Sequence, residues 1–331
     1  MLNHVPSPAL SDASIDLSPL NGPRFMITVD TEEEFDWTAP FTRDQHGTTH
    51  IPAISRFQSL CEQHHVVPAY LVDYPIASDA AAIDLLGGFA NAGTAEIGVQ
   101  LHPWVSPPFA EALSEHNSFA CNLTAELERE KLSMLHARIA ERFGVKPDIY
   151  RAGRYGAGPN TPAILADLGI SIDTSVRTRF NYASYGGPDY SEHPVNPYWI
   201  SPGQLIEVPL TTVYAGQLKK IGTPVYQRMF SSEPSRSLLS RSGLLERIAI
   251  TPEGIPLERA IAGIDGALDE GVAILNISFH SPTLAAGNTS YTRREHDLET
   301  FYKWWHGVFA HLALRGVTAI SVSQVKQALI G

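Results

Sequence analysis

Cysteine is nearly absent from this chain of 331 residues: only Cys61 and Cys121 occur, with no CxxC pair. That excludes a disulfide framework and a thiolate metal knuckle, and Cys61, inside a helical pattern, reads as a small core residue. Cations are scarce as well, with 24 Lys and Arg against 35 Asp and Glu and a formal charge of −11. Binding to a nucleic-acid backbone needs basic side chains to neutralise phosphates, so no nucleic-acid partner is expected. No apolar run approaches the ~20 residues of a membrane span. The first 23 residues show neither a basic nor an apolar stretch of the kind a signal peptide carries, and the expected location is cytoplasmic. Residues 1–22 read as a flexible N-terminal tail and 23–331 as a single domain.

What the chain has is alternation. Apolar strand candidates are Arg24–Asp30, Val66–Asp73, Ala95–Leu101, Asp148–Arg151, Ile170–Thr174, Leu205–Leu210, Val272–His280 and Val317–Ser321. Helical patterns lie between many of them. Pro52 opens one, with Ile54, Phe57 and Leu60 at helical spacing. Thr124 caps another, which ends at Gly144 before Pro147. Further helices are expected over Pro256–Asp269 and Arg294–Arg315, and Ser323 is expected to cap a short last one. Repeated β-then-α units imply parallel strands with right-handed crossovers. Seven or eight such units predict a closed or nearly closed (β/α) barrel. The run from Arg179 to Glu233, rich in Gly, Pro, Ser and Tyr, reads as long rim loops.

The strand ends carry the chemistry. The first strand runs directly into Asp30, Glu32, Glu33, Glu34 and Asp36. Asp30 and Glu32 are two apart and share one side of an extended chain. Other candidate strands end at Asp73, in Gln100-Leu-His102, and at Arg151, Asp173 and His280. Barrel enzymes collect their catalytic groups in this way, from several strand ends on one face. His46 and His50 have the i, i+4 spacing of a helical metal pair, but Gly47, Thr48 and Thr49 between them argue against a helix there. Trp304 and Trp305 sit on a helical face and read as packing.

With these motifs in hand, the chain resembles the polysaccharide deacetylases of the NodB homology class, and within them the WalW-like branch. The resemblance spans Arg24 to about Ser323 in five separated motifs: Val29-Asp-Thr-Glu32, Glu96–Trp104, Arg151–Gly156, Asp173-Thr-Ser175 and Leu275–Pro282. It implies a distorted (β/α) barrel and a hydrolase that removes an acyl group from the amide nitrogen of an N-acetylated sugar. It further implies Asp30 as base, His280 as acid, Arg151 as the contact of the catalytic Asp, and a divalent metal, Zn2+, on Glu32 and His102. Gln100 and Trp104 stand where typical members have the two histidines of His-x-x-x-His, which leaves Gln100 as a weak third ligand. Trp37, Asp73, Trp104, Arg154, Tyr155 and Asp173 are the expected substrate contacts, with Asp73 or Asp173 orienting His280 or sugar hydroxyls. Two other readings stand beside this one: a metal-free or small-molecule amidohydrolase on the same fold, and a carbohydrate-binding protein without catalysis. The expected partner is a carbohydrate or a small-molecule amide.

Overall fold

The computed structural model describes residues 13–37, 39–219, 222 and 244–331. Its strands are β1 (Arg24–Thr31), β2 (Ala69–Val72), β3 (Glu96–Leu101), β4 (Ile149–Ala152), β5 (Ile172–Asp173), β6 (Tyr198–Ser201), β7 (Leu205–Glu207), β8 (Thr212–Ala215), β9 (Glu246–Ala249), β10 (Ile274–His280) and β11 (Thr318–Ala319). Its α-helices are α1 (Ile54–Gln63), α2 (Ala80–Asn91), α3 (Ala125–Phe143), α4 (Thr161–Leu168), α5 (Leu257–Asp269), α6 (Glu295–Leu314) and α7 (Val322–Leu329). A nine-stranded sheet runs β10-β1-β2-β3-β4-β5-β7-β6, with β11 also on β1. All its pairings are parallel except that of β6 with β7.

The sheet curls into a distorted barrel. Arg151 on β4 reaches Thr28 and Asp30 on β1 and Ser278 on β10, which a flat sheet would keep far apart. The circuit closes just past β7, where Thr211 N donates to Asn276 O at 3.2 Å and Asn276 N donates to Thr211 Oγ1 at 2.8 Å.

Side-chain alternation sorts the interior by height. On β1, Phe25, Ile27 and Val29 join the large core against the helices, whereas Met26 belongs to a second cluster with Leu71, Ile149, Ile172, Ile206 and Ile274. That second cluster fills the floor of the barrel, plugged by Val322, Val325 and Leu329 of α7 and by Leu20. Above the floor, the parity that points Met26 inward carries Thr28, Asp30 and Glu32 toward the mouth. The same parity on β10 gives Asn276, Ser278 and His280, in register with Met26, Thr28 and Asp30. Gly98 keeps β3 close to its neighbours, because a Cβ there would lie 2.4 Å from Leu71 Cδ2 and 2.6 Å from Ile149 Cγ2.

Several sequence expectations need correction. The Arg179–Glu233 run is more than loop: besides β7 it holds β6, and β8 pairs antiparallel with β9 as a separate ribbon. The short strands and frequent turn residues hide the alternation there. Its residues 220, 221 and 223–233 lie outside the described residues. Ser321, not Ser323, caps α7, because Ser321 and Gln324 satisfy each other's backbone N–H groups in a capping box. Helices α2 and α4, absent from the sequence reading, complete the β/α alternation. Residues 1–12 lie outside the description, but Leu20 of the segment read as a tail is buried against α7. Among the described residues no helix is long and apolar enough to cross a membrane.

Candidate active site

Asp30 leaves β1 facing the barrel mouth, with one carboxylate oxygen on the Arg151 guanidinium and the other 3.6 Å from His280 Nε2. Arg151 is fully buried and held from every side: Nε donates to Thr174 O at 3.0 Å, and its terminal nitrogens donate to Thr28 Oγ1 at 2.7 Å and Ser278 Oγ at 3.2 Å. Such a fixed fork sets the direction of the Asp30 carboxylate. The second nitrogen of His280 rests on Glu253, Nδ1 to Oε2 at 2.7 Å, and the His280 N–H donates to Glu253 Oε1 at 3.1 Å. Burial works against a charged His280 ring, but the Glu253, Glu32 and Asp30 carboxylates outweigh it and raise the ring to about 10. His280 is therefore an imidazolium at neutral pH, its Nε2 proton aimed at the Asp30 side of the cleft.

A second cluster adjoins the first. Glu32 Oε2 lies 3.3 Å from His102 Nε2 and accepts from Gln100 Nε2 at 3.2 Å. His102 Nδ1 sits 2.8 Å from Glu33 Oε2, and Trp104 Nε1 donates to the other Glu33 oxygen at 2.8 Å. Behind them Glu33 N donates to Asp73 Oδ2 at 2.8 Å. Burial alone would raise Glu33, yet His102 and Asp73 hold it down at about 2. Burial and the adjacent Glu33 push Asp73 well above its ordinary value. Burial opposes a charged His102, and Glu33 and Glu32 overcome it, leaving the ring well above its ordinary value.

These donors suit a divalent metal. The 3.3 Å between Glu32 Oε2 and His102 Nε2 matches the ligand-to-ligand separation of a tetrahedral ion with bonds of roughly 2.0–2.1 Å. Gln100 Oε1 is buried and has no hydrogen-bond partner among the described residues, so an amide oxygen is available. His102 has the carboxylate behind its far nitrogen that orients metal-ligating histidines. Asp30, Glu32 and His280 also stand close enough together to share an ion, as do Glu33, Asp73 and His102. In the latter group Asp73 already accepts the Glu33 N–H, and His102 leans on the Glu33 carboxylate.

A cleft of about 920 Å3 opens above both clusters, lined by Asp30, Glu32, Gln100, His102 and His280. Trp37, Arg154 and Tyr155 line its wall, with Trp37 53% exposed. Arg154 and Tyr155 both adopt left-handed backbone conformations, φ 54° and 60°, as the chain leaves β4. Strain of this kind persists where the surroundings fix it; here Tyr190 Oη donates to Tyr155 O at 2.6 Å, and Arg154 packs 4.1 Å over Phe119.

Three expected substrate contacts lie elsewhere. Trp104 is buried, stacked on His102 with ring centroids 4.3 Å apart, so it positions the ring from behind. Asp73 is buried beneath Glu33 and occupied by the N–H groups of Glu33 and Ile76. Asp173 is buried with Ser175, whose N–H and hydroxyl both bond its Oδ1. Neither aspartate orients His280; Glu253 does. The sequence signal for Glu253 is faint, a carboxylate in the Thr251-Pro-Glu-Gly254 turn beyond the four residues of β9. Arg154 pairs with Glu115 at 3.3 Å, while Asp148 takes Lys326 at 2.8 Å. His50 bonds Glu34 and Ser281 at 3.0 and 2.7 Å, a brace under Glu32, whose N–H donates to the same Ser281 hydroxyl. Trp304 and Trp305 are core, as is Cys61.

No protein-family model matches the chain, and no curated protein does. Solved structures do resemble it. A protein assigned as a glycoside hydrolase/deacetylase from Parabacteroides distasonis superposes with a TM-score of 0.57 at 11% identity, over 90% of this chain and 69% of that one. The GH57 branching enzyme TK1436 of Thermococcus kodakaraensis gives 0.52 at 13%, over 92% and 71%. The chitin deacetylase of Colletotrichum lindemuthianum gives 0.45 at 11%, over 93% and 88%. At such identities the likeness speaks to fold, and the first two structures carry it. The chain has a distorted α/β barrel like that of the first two structures, and its chemistry must be read from its own side chains.

Proposed function

We propose that this protein is a hydrolase that cleaves the acyl–nitrogen bond of an N-acylated sugar, with acetyl as the acyl group. The observation that carries the reading is the Asp30–His280 pair: a carboxylate and an imidazolium 3.6 Å apart at the mouth of one cleft, each fixed from behind. Asp30 takes a proton from the attacking water while Arg151 balances its charge. A new C–O bond forms as the C–N bond breaks, and His280 Nε2 delivers its proton to the departing nitrogen. Glu253 keeps that ring charged and correctly turned. Trp37 and Tyr155 offer flat faces to a sugar ring.

Glu32, His102 and Gln100 would hold a divalent metal, zinc being the best match to the imidazole and carboxylate. When bound, the metal supplies an acidified water and polarises the amide carbonyl. Loading requires His102 to shed the proton that Glu33 and Glu32 favour, so occupancy should fall on acidification. One observation favours a second reading without metal: Glu32 already accepts from Gln100 and faces His102, leaving its charge satisfied by protein. Elemental analysis of the purified protein, alongside acetate release from an N-acetylglucosamine oligomer with and without chelator, separates the two. Full turnover at negligible metal content supports the second, and chelator-sensitive turnover the first.

A further inference from the structure

Arg177 differs from Arg151 and Arg154, its neighbours at the cleft. Arg151 has Asp30 and Arg154 has Glu115. Arg177 lines the cleft with no carboxylate within ion-pair distance among the described residues. Its polar contact is the Tyr182 hydroxyl, at a long 3.5 Å. The remainder of its surroundings is aromatic: its Cζ lies 4.0 Å from the Phe180 ring centre and 5.3 Å from that of Tyr155. A guanidinium keeps its charge whatever its environment, and withdrawing it from water without a counter-charge is unfavourable. Aromatic faces recover part of that loss but offer no acceptor in the plane of the fork.

The second observation is a side chamber of about 70 Å3 beside the cleft, lined by Arg177, Thr211, Asn276, Tyr291, His280 and Glu253 among others, the Glu253 carboxylate being taken up by His280 and Thr283. The chamber is far below the ~300 Å3 at which drug-sized ligand pockets begin. A small polar group such as a carboxylate suits it. His280 borders both spaces, so whatever enters the chamber is attached close to the amide being cleaved.

We propose that Arg177 and this chamber form a subsite for a carboxylate carried by the substrate, next to the scissile amide. This deepens the amide-hydrolase reading and rests on it. The carboxylate has two sources to distinguish: the sugar, as in a hexosaminuronate, or an acyl group in place of acetyl, as in a half-amide of a dicarboxylic acid. Both present the same planar anion to the same fork.

The first test needs no catalysis. Thermal melts of the full chain are compared in acetate, inorganic phosphate and chloride at matched ionic strength. Acetate should raise the melting temperature of the native protein above that in chloride, Arg177→Gln should abolish the gain, and Arg177→Lys should keep part of it. An equal gain in native and Arg177→Gln, or none in either, overturns the subsite. Should Arg177→Gln fail to fold, a reduced gain in Arg177→Lys serves in its place, and an undiminished gain there overturns the subsite. The second test is a ratio of kcat/KM values, for an N-acetylhexosaminuronate over the matching N-acetylhexosamine and for an N-succinyl over an N-acetyl hexosamine. Arg177→Gln should lower one of these ratios by about 10- to 100-fold, as loss of a charged hydrogen bond does. The ratio that falls identifies the source, and two unchanged ratios overturn the proposal. Anion protection without any turnover would leave the subsite standing and remove the hydrolase reading instead.

Discussion

Between Asp30 and His280 the spacing is 3.6 Å, and what His280 can do there depends on Glu253 behind it. The ring is raised from its ordinary 6.5 to about 10. A raised histidine adds stability that is complete below the unfolded value and fades as pH climbs through the folded one. The acid form needed for amine departure should likewise persist until pH nears 10. Glu253→Gln removes the nearest counter-charge, so the alkaline limb of the kcat profile should move down toward 6.5 while the acid limb stays. An unmoved alkaline limb would show that another group sets it. Gln100→His puts an imidazole where the amide oxygen lacks a partner and should raise zinc per chain, measured at matched pH. Activity need not rise with it. Asp30, Glu32, His102, Arg151 and His280 were legible as strand-end residues because long apolar runs locate strand ends. Glu253 was not, because turns and short strands bring it to His280, and no periodicity reports a contact of that kind.

Among the elements, the exit of β4 bears most directly on the site. Gly153 follows the strand, and a Cβ there would lie 2.3 Å from His102 Cδ2 and 2.6 Å from Leu101 O. Gly153→Ala must therefore displace the His102 ring or the β3 backbone. We expect destabilisation of about 1–3 kcal/mol in a denaturant titration, as overpacking produces, with lowered metal content. An unchanged melt and metal content would mean that β3 and β4 have slack the structure does not suggest. The long central strands β1, β3 and β10 were legible at this scale through continuous apolar runs. Strands β6, β8 and β9 were not, since four-residue strands among Gly and Pro leave too few positions for a pattern.

The whole barrel is organised as an apolar floor below a polar interior, and that interior contains carboxyls with little to offset their charge. Asp173 is raised to about 6, burial pushing it up against the Ser175 bonds and the Arg151 charge that lower it. Burial and Asp173 raise Glu207 beside it as well. A carboxyl whose folded value exceeds its unfolded one favours folding while protonated, and that advantage is lost as pH rises from about 4 to about 6. Asp173→Asn keeps an acceptor for Ser175 and removes the charge, so its melting temperature relative to native should improve across that window. A difference independent of pH would contradict the assignment. Fold class was legible at this scale from the count and order of β/α units, and the polar layer was not, because only the closed circuit shows which strand faces turn inward.

The claim that joins these scales is that Asp30 is the base of an amide hydrolase. Acetate released from an N-acetylglucosamine oligomer by Asp30→Asn and by native protein, at equal metal content and with matched melting curves, tests it directly. The account predicts a loss of about 10²- to 10⁴-fold, the usual contribution of a positioned general base. A near-native rate in Asp30→Asn would contradict it.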